Sequence, residues 1–177
     1  MEDYLRLEAF SNVKHEYLDG EIYAMAGGTP EHGAVTMRVG ASLVGQLRGR
    51  PCNVHSSDVR VRVVASGLDT YPDVSVVCGK EVRDTDDPQA LTNPIVLVEV
   101  LSPATARYDR GKKLEHEKRI QALQEVVLVA HDERRIDVWR RTANEWEQVT
   151  AGPGETIRLT SIDCLLDLDE LFRDPLS

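Results

Sequence analysis

The chain has 177 residues, and we expect one domain over residues 1–177 because domains typically run to about 100–200 residues. Hydrophobic residues make up 41% of the chain and charged residues 29%, which excludes wholesale disorder and fibrous repeats. The net charge of −9 means that the surface as a whole repels phosphate backbones. Any contact with nucleic acid must therefore be local.

The cysteines and the apolar runs indicate in which cellular compartment the protein is expected. Cys52, Cys78 and Cys164 lie far apart and form no C-x-x-C pair, so the sequence predicts neither a disulfide framework nor a zinc site. No apolar run approaches the roughly 18 residues that span a bilayer, and the first residues are acidic where a signal peptide is basic. These features predict a cytoplasmic protein that does not enter the membrane.

The N-terminal region predicts a helix and then a hairpin. Residues 3–10 can form a short helix. Asp19-Gly20 is a two-residue turn signal between residues 14–18 and 21–25, which predicts a β-hairpin. Glu16 lies on its first strand.

The middle of the chain predicts a long helix and a second hairpin. Apolar residues recur every four positions over residues 31–48 and indicate an amphipathic helix. Valines alternate with arginines over residues 59–63, which is typical of a strand, and residues 71–77 are the expected hairpin partner. Residues 79–94 are polar and rich in aspartate and proline, so we expect a loop.

The remaining elements complete an α/β fold of mixed α+β type. Residues 95–101 are apolar on both faces and predict a covered central strand, followed by a helix over residues 102–124. The expected later elements are strands at 126–130, 135–140 and 145–150 and a helical turn at 167–172. We expect a central mixed β-sheet flanked by helices, with an N-terminal β-hairpin.

Two carboxylates stand out against apolar surroundings. Glu99 interrupts the aliphatic strand, and a buried carboxylate costs several kcal/mol unless a cation or donors meet it. Asp73 follows Pro72 at the head of another aliphatic strand, so the two acids lie side by side if the strands are neighbours. Paired carboxylates share a proton or bind a cation such as magnesium. The alternatives are a strand-end acid for Glu99 and a turn residue for Asp73.

A lysine on the following helix is the third candidate. The helix that carries Lys113 is expected to return over the end of the strand that carries Glu99, so it can direct the lysine towards the carboxylates. Asp109, Lys113 and Glu117 are spaced four residues apart, so a solvated helix face with ion pairs is the alternative.

The order and spacing of several segments resemble one known family. Three segments carry the resemblance: Tyr71–Asp73, Val98–Pro103, and Asp109 with Lys113. Further similar segments are Lys14–Gly20, Thr29–His32 and Ser57–Arg60. Together they resemble the Uma family of restriction-endonuclease-like proteins, a branch of the PD-(D/E)XK nuclease-like superfamily, over about residues 3–141.

The resemblance implies a restriction-endonuclease-like core and specific residue roles. It implies that Asp73 and Glu99 bind Mg²⁺, with Mn²⁺ as a possible substitute, and that Lys113 is the catalytic lysine. The superfamily usually has its lysine two residues after the acid, where this chain has Leu101, and this branch moves the lysine to the helix. Lys112 could compete, although it faces about 100° away.

The resemblance also points to two outlying residues and one departure. Glu16 matches the family's upstream acid, a further metal ligand, and His32 matches its histidine at a helix start; a solvated glutamate and a helix-cap histidine are the alternatives. The family commonly has an aromatic residue where this chain has Glu117. Either the helix packs differently there or one more acid lies close to the site.

The implied function is magnesium-dependent hydrolysis of phosphodiester bonds in DNA, with a homodimer as a possible assembly. Residues 102–119 carry six basic and three acidic side chains, so a basic surface lies beside the expected site. The alternatives are a catalytically inactive nucleic-acid-binding or regulatory module on the same fold, and a ligand-binding scaffold that self-associates.

Other chemistries find no motif in the sequence. The chain has no phosphate-binding G-x-x-x-x-G-K-[ST] loop, no G-x-G-x-x-G fingerprint and no G-x-S-x-G elbow. The five histidines lack H-E-x-x-H spacing, which argues against a zinc hydrolase.

Overall fold

A computed structural model describes residues 1–25 and 27–173. The N-terminal part contains helix α1 (Glu2–Phe10), strands β1 (His15–Leu18) and β2 (Glu21–Ala24), and helix α2 (Pro30–Gln46). Five strands follow: β3 (Cys52–Ser56), β4 (Arg60–Val63), β5 (Leu68–Thr70), β6 (Val74–Cys78) and β7 (Ala90–Leu91).

The second half begins with the central strand β8 (Val96–Leu101). After β8 come the helical turn α3 (Ala106–Tyr108), a π-helical turn (Asp109–Lys113) and helix α4 (Leu114–Glu117). The chain continues through β9 (Glu125–Ala130), β10 (Arg135–Arg141), β11 (Trp146–Ala151), β12 (Thr156–Leu159), β13 (Cys164–Asp167) and helix α5 (Leu168–Leu171).

Within the described residues the strands form three sheets. The largest has the order β11-β10-β9-β8-β6-β3 and is mixed, since β8 runs parallel to β9 and antiparallel to β6. A five-stranded sheet has the order β2-β1-β5-β4-β7, and β12 pairs with β13. The expected mixed sheet flanked by helices, with an N-terminal hairpin, is confirmed.

Both faces of β8 are covered by apolar layers, which explains why its sequence is aliphatic apart from Glu99. Val96, Val98 and Val100 pack in one layer with the apolar stripe of α2 and with the β12–β13 hairpin. Leu97 and Leu101 pack in a second layer with Leu114, Ile120, Leu123 and the inner residues of β4 and β5. Glu99 belongs to the second face by strand alternation, so it points towards the α3–α4 segment.

Three sequence predictions differ from the structure. The partner of β4 is β5, whereas residues 74–78 join the other sheet between β3 and β8. The expected loop at 79–94 includes the short strand β7, parallel to β4. The expected helix over 102–124 ends at Glu117, because the turns after it return the chain directly to β9.

Cys52 and Cys78 form a disulfide, contrary to the sequence prediction. Strand β3 was not predicted, and it pairs with β6 so that the two cysteines are directly opposite, with Cα atoms 4.0 Å apart. Strand pairing across 26 residues of sequence brings the thiols together, which residue spacing alone does not show. Among the described residues, no helix is long and apolar enough to cross a lipid bilayer.

Arg141 fixes the turns that follow α4. Its guanidinium donates to the carbonyl oxygens of Leu123 at 2.7 Å, Lys118 at 2.9 Å and Ile120 at 2.7 Å. These turns connect the helix that carries the candidate lysine to the central sheet. One side chain on β10 therefore supports the end of that helix.

We expect Arg141→Met to lower the free energy of unfolding by about 2–3 kcal/mol, because it leaves three carbonyl oxygens without their charged donor. Urea denaturation measures this change. Arg48→Met, at an exposed arginine, is the control and should change stability by less than about 0.5 kcal/mol. Equal effects of the two substitutions would contradict the assigned role of Arg141.

Candidate active site

Strand pairing places Asp73 beside Glu99. Val74 is paired with Val98 in the antiparallel β6–β8 ladder, so the preceding Asp73 lies next to Glu99 on the same face. Asp73 Oδ2 accepts a hydrogen bond from the backbone N–H of Val100 at 2.7 Å. The two acids are neighbours because β6 pairs with β8 in the six-stranded sheet, rather than with β4 as the sequence predicted.

Lys113 reaches the acids from the helical segment above the sheet. Its Nζ lies 2.9 Å from Glu99 Oε1 and 4.0 Å from Asp109 Oδ1, and the side chain is 3% exposed. Gly111 has non-helical φ and ψ angles of −114° and −105°, so the helix kinks just before the lysine. The neighbouring Lys112 is exposed. Because the helix kinks at Gly111, Lys113 rather than Lys112 is the buried cation of the site.

Glu16 comes to the same lysine from the other sheet. Its Oε1 lies 3.0 Å from Lys113 Nζ, and it accepts a hydrogen bond from the hydroxyl of Thr70. Glu16 is 6% exposed, so the solvated alternative is wrong for this residue. The lysine thus bridges the N-terminal hairpin and the central strand.

His32 contacts Asp73 from the first turn of α2. The hydroxyl of Thr29 caps this helix by accepting from the backbone N–H of His32 at 3.2 Å, which fixes the position of the histidine. The ring Nε2 lies 3.2 Å from Asp73 Oδ2. The hydrogen bond to Asp73 outweighs burial and raises the pKa of His32 above its ordinary value.

Two further acids lie at the site. Asp109 is 6% exposed and Glu117 is fully buried. Their four-residue spacing around Lys113 had suggested a solvated face as the alternative, but the same spacing puts all three on the buried side of the kinked helix. A run of aliphatic residues around these acids in the sequence would have indicated burial, whereas helical spacing by itself does not.

Burial governs the charges of this cluster. It raises the pKa of Glu117 to about 7, and it raises the pKa of Glu99 against the opposing effect of Lys113. Burial by itself would lower the pKa of Lys113. The negative charges of Glu99 and Glu16 outweigh this effect and hold the lysine pKa above its ordinary value. The ammonium is therefore charged at neutral pH.

The donor set fits a hard divalent cation. Carboxylate oxygens are the ligands that magnesium prefers, usually one or two of them with water or phosphate. The two oxygens of Glu117 are buried without a hydrogen-bond partner, so the cluster has unused oxygen ligands. Across residues 1–25 and 27–173, no three His, Cys, Asp or Glu side chains converge as a ready metal cage.

Comparisons with known proteins identify the family and the fold of this chain. A family model, Uma2, described as "Putative restriction endonuclease", matches residues 1–168. The chain belongs to the Uma2 family. Two relatives from Synechocystis sp. are uncharacterized proteins. The match to slr1290 is 35% identical over 97% of this chain and 90% of the relative, and the match to sll1609 is 30% identical over 89% of each.

A solved structure shares the fold of this Uma2 protein. It is described as a "putative nuclease belonging to DUF820" from Anabaena variabilis and superimposes with a TM-score of 0.74. The match covers 92% of this chain and 91% of the other, at 21% sequence identity. The restriction-endonuclease-like fold expected from the sequence is confirmed.

We expect His32 to titrate above its ordinary pKa and Asp73→Asn to lower that pKa, because the amide removes the charged acceptor. Imidazole NMR signals followed against pH measure both values. The pair stabilises the fold fully below the ordinary pKa, and this contribution is lost as the pH rises through the raised pKa. Glu31→Gln, at an exposed acid beside His32, is the control and should change the pKa little.

We expect Gly28→Ala also to lower the pKa of His32. A Cβ at residue 28 would lie 2.6 Å from Nδ1 of His32, so the ring must move away from its contact with Asp73. Gly33→Ala is the matched control, since a Cβ there meets nothing within 4 Å. Equal His32 pKa values in the two variants would show that Gly28 does not position the ring.

Proposed function

We propose that this Uma2 protein is a magnesium-dependent endonuclease that hydrolyses phosphodiester bonds in DNA. The observation that carries the proposal is the buried ammonium of Lys113, 2.9 Å from Glu99 and 3.0 Å from Glu16, beside the neighbouring Asp73. A charged lysine next to paired carboxylates is the arrangement that phosphoryl hydrolysis needs, and the family description points to the same reaction.

In this proposal Asp73 and Glu99 hold the cation, with Glu16 as a further ligand after the lysine shifts. A bound Mg²⁺, or Mn²⁺ in its place, would supply positive charge to the scissile phosphate and lower the pKa of a coordinated water. Asp73 is fixed in orientation by the Val100 N–H and by His32. Its carboxylate is thus positioned before any ligand arrives.

Lys113 and His32 have separate roles in the proposal. The Lys113 ammonium orients the attacking water and offsets negative charge that develops on the phosphate. His32 holds Asp73 in place and is close enough to the site to exchange a proton with water. We count Glu16 and His32 with Asp73, Glu99 and Lys113 as the residues of the reaction.

Local basic charge supports DNA as the substrate despite the net charge of −9. Arg107, Lys112 and Arg119 are exposed around the helical segment that carries Lys113. Such side chains can contact the phosphates on either side of the cut. Cleavage of both strands of a duplex would take two active sites, so we include a homodimer on DNA in the proposal.

We expect purified protein to nick supercoiled plasmid with Mg²⁺ or Mn²⁺ and to be inactive in EDTA. Glu99→Gln and Lys113→Met should each reduce the rate at least about 100-fold, because they remove a cation ligand and the charge near the phosphate. Agarose gels of the time course measure the rate. Glu115→Gln and Lys80→Met, at exposed residues, are the matched controls and should retain activity.

Thermal melting of each variant separates loss of chemistry from loss of folding. A folded Glu99→Gln protein that cleaves as fast as the wild type would refute the proposed site. Metal-independent nicking would refute the proposed cofactor. If the wild-type protein binds plasmid but does not cleave it, the result would contradict the proposed nuclease activity and favour an inactive DNA-binding module.

A further inference from the structure

The Cys52–Cys78 disulfide lies at the outer edge of the six-stranded sheet. Among the described strands β3 pairs only with β6, and the two cysteines are directly opposite each other in that ladder. Both cysteines are partly buried, whereas the free Cys164 is fully buried in the core. A thiol from solution can therefore approach the disulfide but not Cys164.

A groove of about 360 Å³ opens beside Cys52, between the C-terminal end of α2 and strand β3. Its volume is in the range of small-molecule sites. Arg48, Arg50, Cys52 and Asn53 are among the residues that line it, and Cys78 is not. The groove therefore gives access to one cysteine of the disulfide.

Positive charge surrounds the groove. Arg48 and Arg50 are exposed, and neither forms an ion pair within residues 1–25 and 27–173. The antiparallel register that opposes the two cysteines also puts the exposed Lys80 opposite Arg50. Glu81, which follows Lys80, accepts a hydrogen bond from Asn53 at 2.8 Å. Such a basic neighbourhood attracts anions and stabilises a thiolate, so it favours attack on the disulfide by an anionic thiol.

We propose that Cys52 is a modification site for a thiol that carries carboxylates, of the chemical class of glutathione. The carboxylates bind Arg48 and Arg50 in the groove, since guanidinium groups pair with carboxylates through two parallel hydrogen bonds. The thiol then exchanges with the Cys52–Cys78 disulfide. This inference does not rest on the proposed nuclease function.

The exchange is balanced without any further oxidant or reductant. The thiolate sulfur of glutathione attacks Cys52 Sγ, a new S–S bond forms between them, and the Cys52–Cys78 bond breaks. Cys78 Sγ leaves with the electron pair and takes up the proton that the attacking thiol released. Glutathione is oxidised to the mixed disulfide and Cys78 is reduced. The cross-link between β3 and the strand that follows Asp73 is thereby opened.

The rate at which the disulfide opens tests recognition by the groove. The full chain, purified without reductant, is treated with glutathione or with glutathione diethyl ester, which lacks both carboxylates. Trapping of new protein thiols with iodoacetamide and intact mass spectrometry measures the rate. We expect wild-type protein to react at least about fivefold faster with glutathione than with the ester, because the groove attracts the carboxylates.

Arginine variants test whether the groove causes this preference. The double variant Arg48→Met/Arg50→Met should react with glutathione and its ester at nearly equal rates, and Arg48→Lys/Arg50→Lys should retain most of the preference because it keeps the charges. Arg134→Met, at an exposed arginine in the turn between β9 and β10, is the matched control and should keep the wild-type ratio. Thermal melting shows whether each variant is folded.

Variants with one of the two cysteines removed test which sulfur reacts. Glutathione disulfide should form the mixed disulfide on Cys52 in Cys78→Ser at least about 10-fold faster than on Cys78 in Cys52→Ser, because access and nearby charge set the rate of exchange. Peptide mass mapping locates the adduct. The buried Cys164 is the internal control and should stay unmodified in both variants.

Four results would overturn the inference. They are three free thiols in protein purified without reductant, a wild type that reacts no faster with glutathione than with the ester, an unchanged ratio in folded Arg48→Met/Arg50→Met protein, and faster modification of Cys78 than of Cys52. If the double methionine variant does not fold, the wild-type comparison of glutathione with its ester remains decisive. None of these measurements uses plasmid cleavage, so failure of the proposed nuclease would leave this inference standing.

Discussion

The buried ammonium of Lys113 is the interaction on which the arrangement of the site depends. It contacts Glu99 on the six-stranded sheet and Glu16 on the five-stranded sheet, so one side chain joins the two. A lysine in this position without its acids would cost several kcal/mol, and so would either acid without the lysine. The three residues must therefore be buried together, and the relative placement of the hairpin, β8 and the kinked helix follows from that requirement.

The apolar packing around these charged residues strengthens the electrostatic interactions between them. Leucines at 97, 101 and 114 belong to the layer that encloses Glu99 on its face of β8. Exclusion of water raises the pKa of Glu99 and Glu117 and strengthens every charge interaction within the cluster. The site is thus part of the hydrophobic core rather than a groove cut into the surface, and Asp73 and His32, at its edge, are its more accessible members.

Polar contacts outside the site hold the elements that present it. Arg141 binds the carbonyl groups of the turns after α4, and the carboxylate of Glu125 accepts from Arg140 and from the backbone N–H groups of Thr160 and Ser161. The Cys52–Cys78 disulfide joins the outer strand β3 to β6, which leads from Asp73. The geometry of the proposed active site therefore depends on residues that are far from the site residues in sequence.

The sequence by itself determined the elements with strong periodicity and the acids that interrupt them. The stripe of α2, the Asp19-Gly20 hairpin and the aliphatic run around Glu99 were predictable, because each pattern is local and repeats over several residues. Tertiary structure alone decided the partner of β4, the disulfide and the burial of Glu117. Strand pairing and the kink at Gly111 depend on contacts between distant segments, and an acid at helical spacing has the same sequence pattern whether water or a leucine layer covers it.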